Sequence, residues 1–441
     1  MDDLGWMDLG YQGSTFYNTP NIDKVASESM RFSQAYSAHP RCVPSRYAII
    51  TGKFPARAGI PGRGGRDSGH LDSSEFGIAK AFKQGGYATF FAGKWHLASK
   101  GVYPEDQGFD YNYGGGLTGA PKSYFYPYNE SKKGYKGNSN EKPIINLDDA
   151  EQGEYLTDHL TRKTLSFIKE NKDTPFFVFL SHYGVHTPFE GKQELKKVFN
   201  EKLKTCPVPQ QNALTRIGDT GQTKMYQDNI TYAAMIQSVD KSFGKLMELL
   251  ESLELSDSTI IVFTSDHGGL SNRGNERKLA TSNLPLRAGK GHNYEGGIRV
   301  PMFIKFPKVT KNSVSNEVVT GSDLYPTLLE MVGLPLQKEQ HLDGKSFYTI
   351  LKGEDSSNKN RPIFWHSPLS RPKSTGDRAN TTVRKGDYKL LDFYEEGIIE
   401  LYNIKDDIGE TNNLAKNQPT KRDELLNLVK NWRKEINAYI K

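Results

Sequence analysis

The chain has 441 residues, with 58 basic and 52 acidic side chains and 36% hydrophobic residues. This composition excludes a disordered chain, and the length indicates more than one domain without a need for disulfide staples. Two cysteines exclude a disulfide framework. The net charge of +6 fits an anionic substrate but forms no basic block that would indicate nucleic-acid binding. The sequence contains no run of about 18 apolar residues, so it predicts no membrane-spanning helix.

Alternating strands and helices are predicted over the first two-thirds of the chain. Continuous apolar runs predict buried strands, and helical spacing of apolar residues predicts the helices between them. The predicted strands are Ala88–Ala92, Phe176–His182, Ile260–Ser265 and Pro301–Phe306. The predicted helices are Asn21–Met30, Glu75–Gln84, Tyr155–Lys169, Tyr232–Leu253 and Asp323–Val332, the last capped by Ser322 and ended by Gly333. This order predicts an α/β fold in which helices sandwich a large mixed, mostly parallel sheet.

A change in composition near residue 353 predicts a second, smaller subdomain. The polar segment Gly353–Arg361 predicts a linker at residues 354–361. Short strands are then predicted at Thr381–Arg384, Tyr388–Phe393 and Ile398–Tyr402, followed by a helix over about Lys421–Ala438. The predicted organisation is a large α/β domain at 1–353 and a small antiparallel sheet-and-helix subdomain at 362–441.

Five groups of polar residues lie where predicted strands meet loops, which is where open α/β sheets build their sites. The groups are Asp2-Asp3, Asp266-His267, Cys42 between Arg41 and Arg46, Lys94 with His96, and the set of His182, His186 and Lys290. Adjacent carboxylates repel unless a cation offsets the repulsion, and flanking arginines depress the pKa of a cysteine. Each group alone also fits a structural interpretation, as a solvated acid pair, a turn, a buried cysteine or a packed histidine.

Taken together, these groups resemble the type I sulfatases of the alkaline phosphatase-like superfamily. The segment CVPSR at 42–46, followed by Thr51-Gly52, is similar to the maturation signature of that family. The segment GYATFFAGKWH at 86–96 resembles its second signature throughout. Segments 294–301 (YEGGIRVP) and 400–414 are also similar to sulfatase segments. The resemblance therefore extends from Asp2 to about Leu414, and it includes bacterial polysaccharide sulfatases.

The resemblance implies a modified nucleophile. In that family the motif cysteine is oxidised to Cα-formylglycine, whose aldehyde hydrates to a gem-diol that attacks sulfur. Cys42 is then the nucleophile precursor, and a formylglycine-generating maturation enzyme would recognise Pro44 and Arg46. Arg46 would also hold the diol. Arg41 and Val43 depart from the usual flanking residues, whereas the C-x-P-x-R core is present.

The resemblance also implies a calcium ion (Ca2+) behind the nucleophile. Asp2, Asp3 and Asp266 match its carboxylate ligands, and the modified Cys42 joins them. His267 stands where many members have asparagine. Calcium prefers oxygen donors, but some members carry Asp-His here, so His267 remains in the predicted ligand set. A softer metal is the alternative.

Four residues match the family's remaining catalytic positions. Lys94 and Lys290 match residues that bind the sulfate group and neutralise its charge in the transition state. His186 matches the candidate general acid at the leaving oxygen, where it would also contact the substrate. His96 matches the residue that assists breakdown of the sulfated hemiacetal and regenerates the aldehyde.

Three further residues are placed only by their neighbours in the sequence. Arg287 and His292 lie close to Lys290 and are predicted to bind substrate. His182 stands at the end of the predicted strand that leads to His186, and we expect it to be structural.

The N-terminus departs from the family pattern. Family members place a strongly apolar strand before the Asp-Asp pair, and Met1 occupies that place here. Loss of a central strand would cost about several kcal/mol or more. We therefore expect a truncated chain whose full-length precursor carries that strand and a signal peptide and is periplasmic or secreted. The sequence itself shows no signal peptide.

The expected function is hydrolysis of a carbohydrate sulfate ester. The preference for sugars rests on Gly114–Tyr128, an aromatic, glycine-rich loop suited to stacking on sugar faces, with ordinary packing as the competing interpretation. One alternative is a phosphonate or phosphodiester hydrolase that uses the same formylglycine. Another is a non-catalytic polyanion-binding protein on a sulfatase scaffold, which the presence of every matched catalytic residue disfavours.

Overall fold

The computed structural model describes residues 1–60, 71–98, 101–130, 144–205, 215–218 (backbone only), 221–274, 278–307, 309, 312–354 and 360–440. Elements of the α/β part, in chain order, are α1 (Pro20–Ser27), β1 (Met30–Phe32), β2 (Ala35–Tyr36), α2 (Cys42–Thr51), α3 (Ile78–Gln84), β3 (Ala88–Gly93), β4 (Tyr111–Tyr113), α4 (Leu156–Glu170), β5 (Phe176–Ser181), α5 (Gln193–Thr205), β6 (Thr215–Gly218), β7 (Gly221–Lys224), α6 (Ile230–Ser252), β8 (Ile261–Thr264), β9 (Asn272–Arg273), α7 (Glu295–Ile298), β10 (Met302–Lys305), β11 (Ser313–Ser315), β12 (Val319–Thr320), α8 (Leu324–Met331) and α9 (Tyr348–Leu351). They are followed by β13 (Ile363–Ser367), β14 (Asn380–Lys385), β15 (Tyr388–Phe393), β16 (Ile398–Asn403) and α10 (Pro419–Glu435).

Two sheets form the centre of the α/β part. In one, with strand order β4-β3-β5, all strands are parallel. In the other, with order β11-β1-β10-β8, only β1 and β11 are parallel, and β10 runs antiparallel to both of its neighbours. Phe90 and Phe91 of β3 belong to different apolar clusters, because consecutive strand residues point to opposite faces. The predicted mixed α/β fold is therefore confirmed, with more antiparallel pairing than expected.

Strands β5 and β8 face each other across an apolar cavity of about 690 Å³. In the described ranges, no strand lies between them. At one end of the cavity, the amino group of Met1 donates to the Thr264 carbonyl (3.0 Å), and the Met1 carbonyl accepts from the Asp266 N–H (3.0 Å). This is the pattern of a parallel pair. The Asp2 N–H donates to the Gly184 carbonyl (3.3 Å), so the Asp2-Asp3 segment is fixed at the carboxyl ends of both strands.

Helix α6 packs against α1, α4 and α5. It begins at Ile230, earlier than predicted, because the Asn229 side chain accepts from the N–H groups of Thr231 and Tyr232. Within the described residues, no helix has both the length and the apolar content needed to cross a membrane.

Asp240 on α6 makes the stability of the fold depend on pH. Its carboxylate accepts from the Ile22 N–H (2.9 Å) and the Asn21 side-chain amide (2.8 Å), yet burial raises its pKa to about 6. The unfolded chain releases this proton near pH 4, so stability falls between about pH 4 and 6. We expect Asp240→Asn to exceed wild-type stability by on the order of 1 kcal/mol at pH 7 and to match it below pH 4. Urea melts across this range test this, and an unchanged pH slope would contradict it.

The C-terminal part is a four-stranded antiparallel sheet, β13-β14-β15-β16, packed against α10. Phe364 of β13 stacks on Trp432 of α10 with ring centroids 4.6 Å apart. Trp365 donates its indole N–H to the Ser37 carbonyl (2.7 Å), which ties this sheet to the α/β part. The predicted antiparallel sheet with a closing helix is confirmed, although β13 was not predicted. Most of the predicted linker, residues 355–359, lies outside the described residues.

Several predicted helix ends differ from the structure, among them the end of α10, which was predicted at about Ala438 and lies at Glu435. Helix α1 ends at Ser27, and Met30 pairs in β1 instead. Helix α3 begins at Ile78 and not at Glu75, whose carboxylate is engaged by other parts of the chain. Ser322 does not cap α8, because Thr320 forms a capping box with Asp323 at the start of the preceding 3-10 turn.

Candidate active site

Cys42 is the first residue of α2, and its free thiol is buried. The N-terminal end of a helix carries a partial positive charge, which favours an anion at this position. The Cys42 Sγ lies 3.2 Å from Nε2 of His267 and 3.9 Å from a carboxylate oxygen of Asp2. The predicted nucleophile is therefore in contact with two of the predicted metal ligands.

Arg46 lies one helical turn after Cys42 and joins three segments of the site. Its Nε and Nη2 donate to one carboxylate oxygen of Asp266 at 3.1 and 2.9 Å. Its Nη1 donates to the Lys94 carbonyl (2.7 Å) and the Ser181 hydroxyl (2.6 Å). Arg46 thereby fixes α2 against the carboxyl ends of β3, β5 and β8.

Three buried carboxylates in the site are each paired with a buried cation. A buried charge is stable only when it is paired and hydrogen-bonded. The pairs and their shortest N–O distances are Lys94–Asp2 (2.6 Å), Lys290–Asp3 (2.6 Å) and Arg46–Asp266 (2.9 Å). The cluster thus pairs three acidic side chains with three basic ones, and its members come from segments as distant in sequence as 2 and 290.

Ligand atoms of the carboxylates, Cys42 and His267 lie close enough together to surround one metal ion. One ligand atom from each of Asp2, Cys42, Asp266 and His267 lies within 4.8 Å of the others. The His267 Nε2 is 3.4 Å from a carboxylate oxygen of Asp3. Oxygen ligands of calcium lie roughly 2.3–2.6 Å from the ion, so donors at these separations fit around one cation.

Electrostatics around Cys42 favour negative charge there. Burial alone would raise the pKa of its thiol, but Lys290, Lys94 and His267 together hold that pKa well below its ordinary value. Burial would also keep His267 neutral, but Asp266 and Cys42 raise its pKa to about 9. An environment that stabilises a thiolate would equally stabilise an oxyanion that replaces it.

His186 lies beside the same cluster. Its Nε2 is 3.8 Å from a carboxylate oxygen of Asp3. Its Nδ1 lies 2.8 Å from the Thr187 carbonyl, a contact that assigns the proton of the neutral ring to Nδ1. Burial, reinforced by Lys290, lowers the His186 pKa to about 3. His182 instead contacts the Ser242 hydroxyl of α6 (3.0 Å), in keeping with the expected structural role.

The glycine-rich loop Gly114–Tyr128 packs on His96 and on the segment that carries His186. A Cβ at Gly119 would lie 2.3 Å from the half-buried His96 ring. Tyr124 is fully buried, and its hydroxyl lies 2.8 Å from the carbonyls of both Tyr183 and His186. Tyr124 and Tyr128 are both buried, so these two rings pack within the protein and are not available to stack on a sugar.

Arg287 and His292 lie at the boundary with the C-terminal part. The Arg287 guanidinium donates to the Tyr402 hydroxyl (2.9 Å) and lies over the Tyr294 ring, 3.9 Å from its centroid. The His292 Nε2 lies 2.8 Å from the Thr375 carbonyl. The structure thus gives both residues contacts that join the two parts, and their binding to substrate stays a prediction.

Two residues that support the site were not predicted. The Tyr232 hydroxyl donates to Asp8 (2.6 Å) and lies 3.1 Å from the Asp3 carbonyl. The Asn283 amide nitrogen lies 3.1 Å from carbonyls of both the Gly269 and Ala288 segments, which flank Asp266 and Lys290. Tyr232 lies within an apolar helical pattern and Asn283 within an irregular loop, so neither carried a sequence signal.

Comparisons with known proteins agree with this geometry. The chain matches the family model described as Sulfatase over residues 1–334, and the model described as N-sulphoglucosamine sulphohydrolase, C-terminal, over residues 289–438. A protein named Sulfatase from Formosa agariphila is 29% identical over 511 residues, which cover 100% of this chain and 87% of that protein. Human N-acetylgalactosamine-6-sulfatase is 31% identical over 388 residues, covering 83% and 67%. The crystal structure of Ps i-CgsB has a TM-score of 0.79 and 31% identity, covering 98% and 90%.

The site and the family match occupy the same part of the chain. The model matched over residues 1–334 includes the whole buried cluster from Asp2 to Lys290. The alternative of a non-catalytic polyanion-binding protein gains no support from relatives that are named as sulfatases. The chain therefore belongs to the sulfatase family and is a sulfuric ester hydrolase.

Proposed function

We propose that this enzyme hydrolyses a carbohydrate sulfate ester, with Cys42 converted to Cα-formylglycine as the nucleophile and calcium bound behind it. The observation that carries the proposal is the convergence of three carboxylates and three cations on one buried thiol. The carboxylates suit a metal ion, and the cations suit a sulfate group. Conversion of Cys42 requires a formylglycine-generating enzyme as a transient partner.

The donor set fits calcium with one departure. Asp2, Asp3 and Asp266 would supply hard oxygen ligands. His267 would supply nitrogen, and it must first lose the proton that its pKa of about 9 retains. When bound, the ion would polarise the sulfate oxygens and favour the ionised nucleophile. We expect metal analysis of purified protein to find one calcium per chain and Asp266→Ala to lose it.

The cations are proposed to hold the sulfate group. Lys94 and Lys290 carry the ammonium groups that stabilise an anion at Cys42. Arg46 is fixed by four hydrogen bonds and would orient the nucleophile. His96 lies under the Gly114–Tyr128 loop and would accept the proton that breakdown of the sulfated hemiacetal releases.

His186 is proposed to protonate the leaving oxygen of the substrate. Because its pKa is about 3 in the free enzyme, the ring must take its second proton from solvent when the anionic substrate binds and raises that pKa. We expect His186→Ala to lower kcat/KM by about 10²–10³-fold on a sugar sulfate, and by less than about 10-fold on 4-nitrophenyl sulfate, whose leaving group needs no proton. Equal losses on both substrates would contradict the role of general acid.

The carbohydrate assignment rests on relatives. One is named N-acetylgalactosamine-6-sulfatase. Ps i-CgsB, with 31% identity and a TM-score of 0.77, was solved in complex with k-i-k-neocarrahexaose. Substrate binding by Arg287 and His292, and export to the periplasm or the medium, remain predictions.

The experiment that tests the proposed reaction compares matched esters. The fold is shared with a phosphonate monoester hydrolase of Agrobacterium radiobacter, at 19% identity and a TM-score of 0.66, and fold alone does not decide the substrate. We expect kcat/KM for a sulfate ester to exceed that for the matching phosphodiester and phosphonate by at least about 100-fold. A preference for either phosphorus ester would overturn the proposal.

A further inference from the structure

The residue before the nucleophile is held by the C-terminal part of the chain. Arg41 is buried, and its Nη2 forms an ion pair with Asp377 and donates to the Leu369 carbonyl (2.7 Å). Its backbone is extended, with φ −137° and ψ 153°, immediately before α2 begins at Cys42. The arginine that departs from the family's usual flanking pattern therefore reaches across to the loop 369–377.

The same loop contacts the neighbour of the second sulfate-binding lysine. A Cβ at Gly291 would lie 2.6 Å from the Thr375 hydroxyl and 2.8 Å from a carboxylate oxygen of Asp377, so only glycine fits there. The Gly291 N–H donates to the Pro40 carbonyl (2.9 Å). Asp377 is thus in contact with residues next to both Cys42 and Lys290.

Asp377 is fixed by several contacts at once. It accepts from Arg41, from the Thr375 hydroxyl and from the Arg371 N–H (3.2 Å). Its side chain is 1% exposed, so the pair with Arg41 is shielded from water. A buried, multiply bonded charge pair holds one geometry, and its rupture leaves an unpaired buried charge.

We propose that Arg41 and Asp377 are positioning residues that set the placement of the nucleophile and of Lys290 from the C-terminal part. This inference rests on the proposed function, since it assumes that Cys42 is the reacting residue. A displacement of about 1 Å at a reacting centre costs roughly 10²-fold in rate. The sheet-and-helix subdomain therefore contributes to catalysis through the loop 369–377.

Asp377→Asn tests this proposal because Asp377 lies outside the maturation motif at 42–46, so the substitution leaves that motif intact. Asp392→Asn is the matched control, since Asp392 of β15 is also buried and pairs with Arg433 of α10 (2.8 Å) within the C-terminal part. We expect Asp377→Asn to lower kcat by about 30–100-fold with KM changed by less than about 3-fold. The control should keep kcat within about 2-fold while losing a comparable amount of thermal stability. Asp377→Glu should recover part of the lost rate.

A kcat for Asp377→Asn that equals wild type, or that falls no further than the control, overturns the proposal. Rates are normalised to the formylglycine content of each preparation. If the wild type cleaves no sulfate ester, the proposed function fails. The rate at which iodoacetamide alkylates the unmodified Cys42 thiol then tests whether the Arg41–Asp377 pair positions Cys42. We expect that rate to change at least about 5-fold in Asp377→Asn and not in the control; equal rates in all three proteins overturn the proposal.

Discussion

Replacing Cys42 with alanine is expected to lower the kcat for sulfate release by at least about 10⁵-fold, because the variant lacks the nucleophile of a covalent mechanism. The surrounding cations would still bind the sulfate group, and the carboxylates would still hold the metal ion. KM, where it can be measured, should therefore stay within about 10-fold of wild type. Sulfate released from a sulfated sugar, quantified by ion chromatography, gives the measurement.

Calcium content and thermal stability serve as controls for this variant. Asp2, Asp3 and Asp266 remain in place, so the variant should fold and retain most of its metal affinity. Activity within about 10-fold of wild type would show that Cys42 is not the reacting residue.

Replacing Lys94 with methionine is expected to lower kcat/KM by about 10³-fold, because the variant loses a fixed cation at the sulfate. Lys94 is fully buried and pairs with Asp2 (2.6 Å), so the variant removes the nearest cation of that carboxylate and leaves only Arg46, at 3.8 Å. The expected loss of stability is about 3–5 kcal/mol. Steady-state kinetics and chemical denaturation of the same preparation measure the two effects separately.

Lys389→Met is the matched control for this experiment. Lys389 is also fully buried, and it pairs with Glu295 and Glu410 between the two parts of the chain. We expect a similar loss of stability but a kcat/KM within about 5-fold of wild type at a temperature where both variants are folded. Equal activity losses in the two lysine variants would show that Lys94 acts only through stability.

Much of the site was predictable because many of its residues directly follow strands, and α/β folds build their sites where strands end. Lys94 directly follows β3, and Asp266 follows β8 after one intervening residue. The apolar runs of these strands are continuous, so their ends could be placed from composition alone. The residues that then converge were identified by family resemblance, and the structure brings Cys42 and His267 to within 3.2 Å.

Contacts between distant loops could not be predicted in the same way. Arg41 and Asp377 are separated by 336 positions, and no local pattern relates an arginine beside a cysteine to a loop in another subdomain. The aromatic loop shows the same limit, since stacking on sugar and packing in a core require the same residue types. For Tyr124, only its burial and its contact with the His186 carbonyl in the structure show that the ring packs in the core.

Mass spectrometry of the peptide Cys42–Arg46 shows whether Cys42 becomes the proposed formylglycine nucleophile, in protein produced with a formylglycine-generating enzyme. Trypsin should release this peptide, since it cleaves after arginine at 41 and 46. Conversion of the thiol to the aldehyde lowers the peptide mass by about 18 Da. We expect this shifted peptide to dominate and the fraction converted to track sulfatase activity across preparations. Full activity in protein whose peptide carries only unmodified cysteine would contradict it.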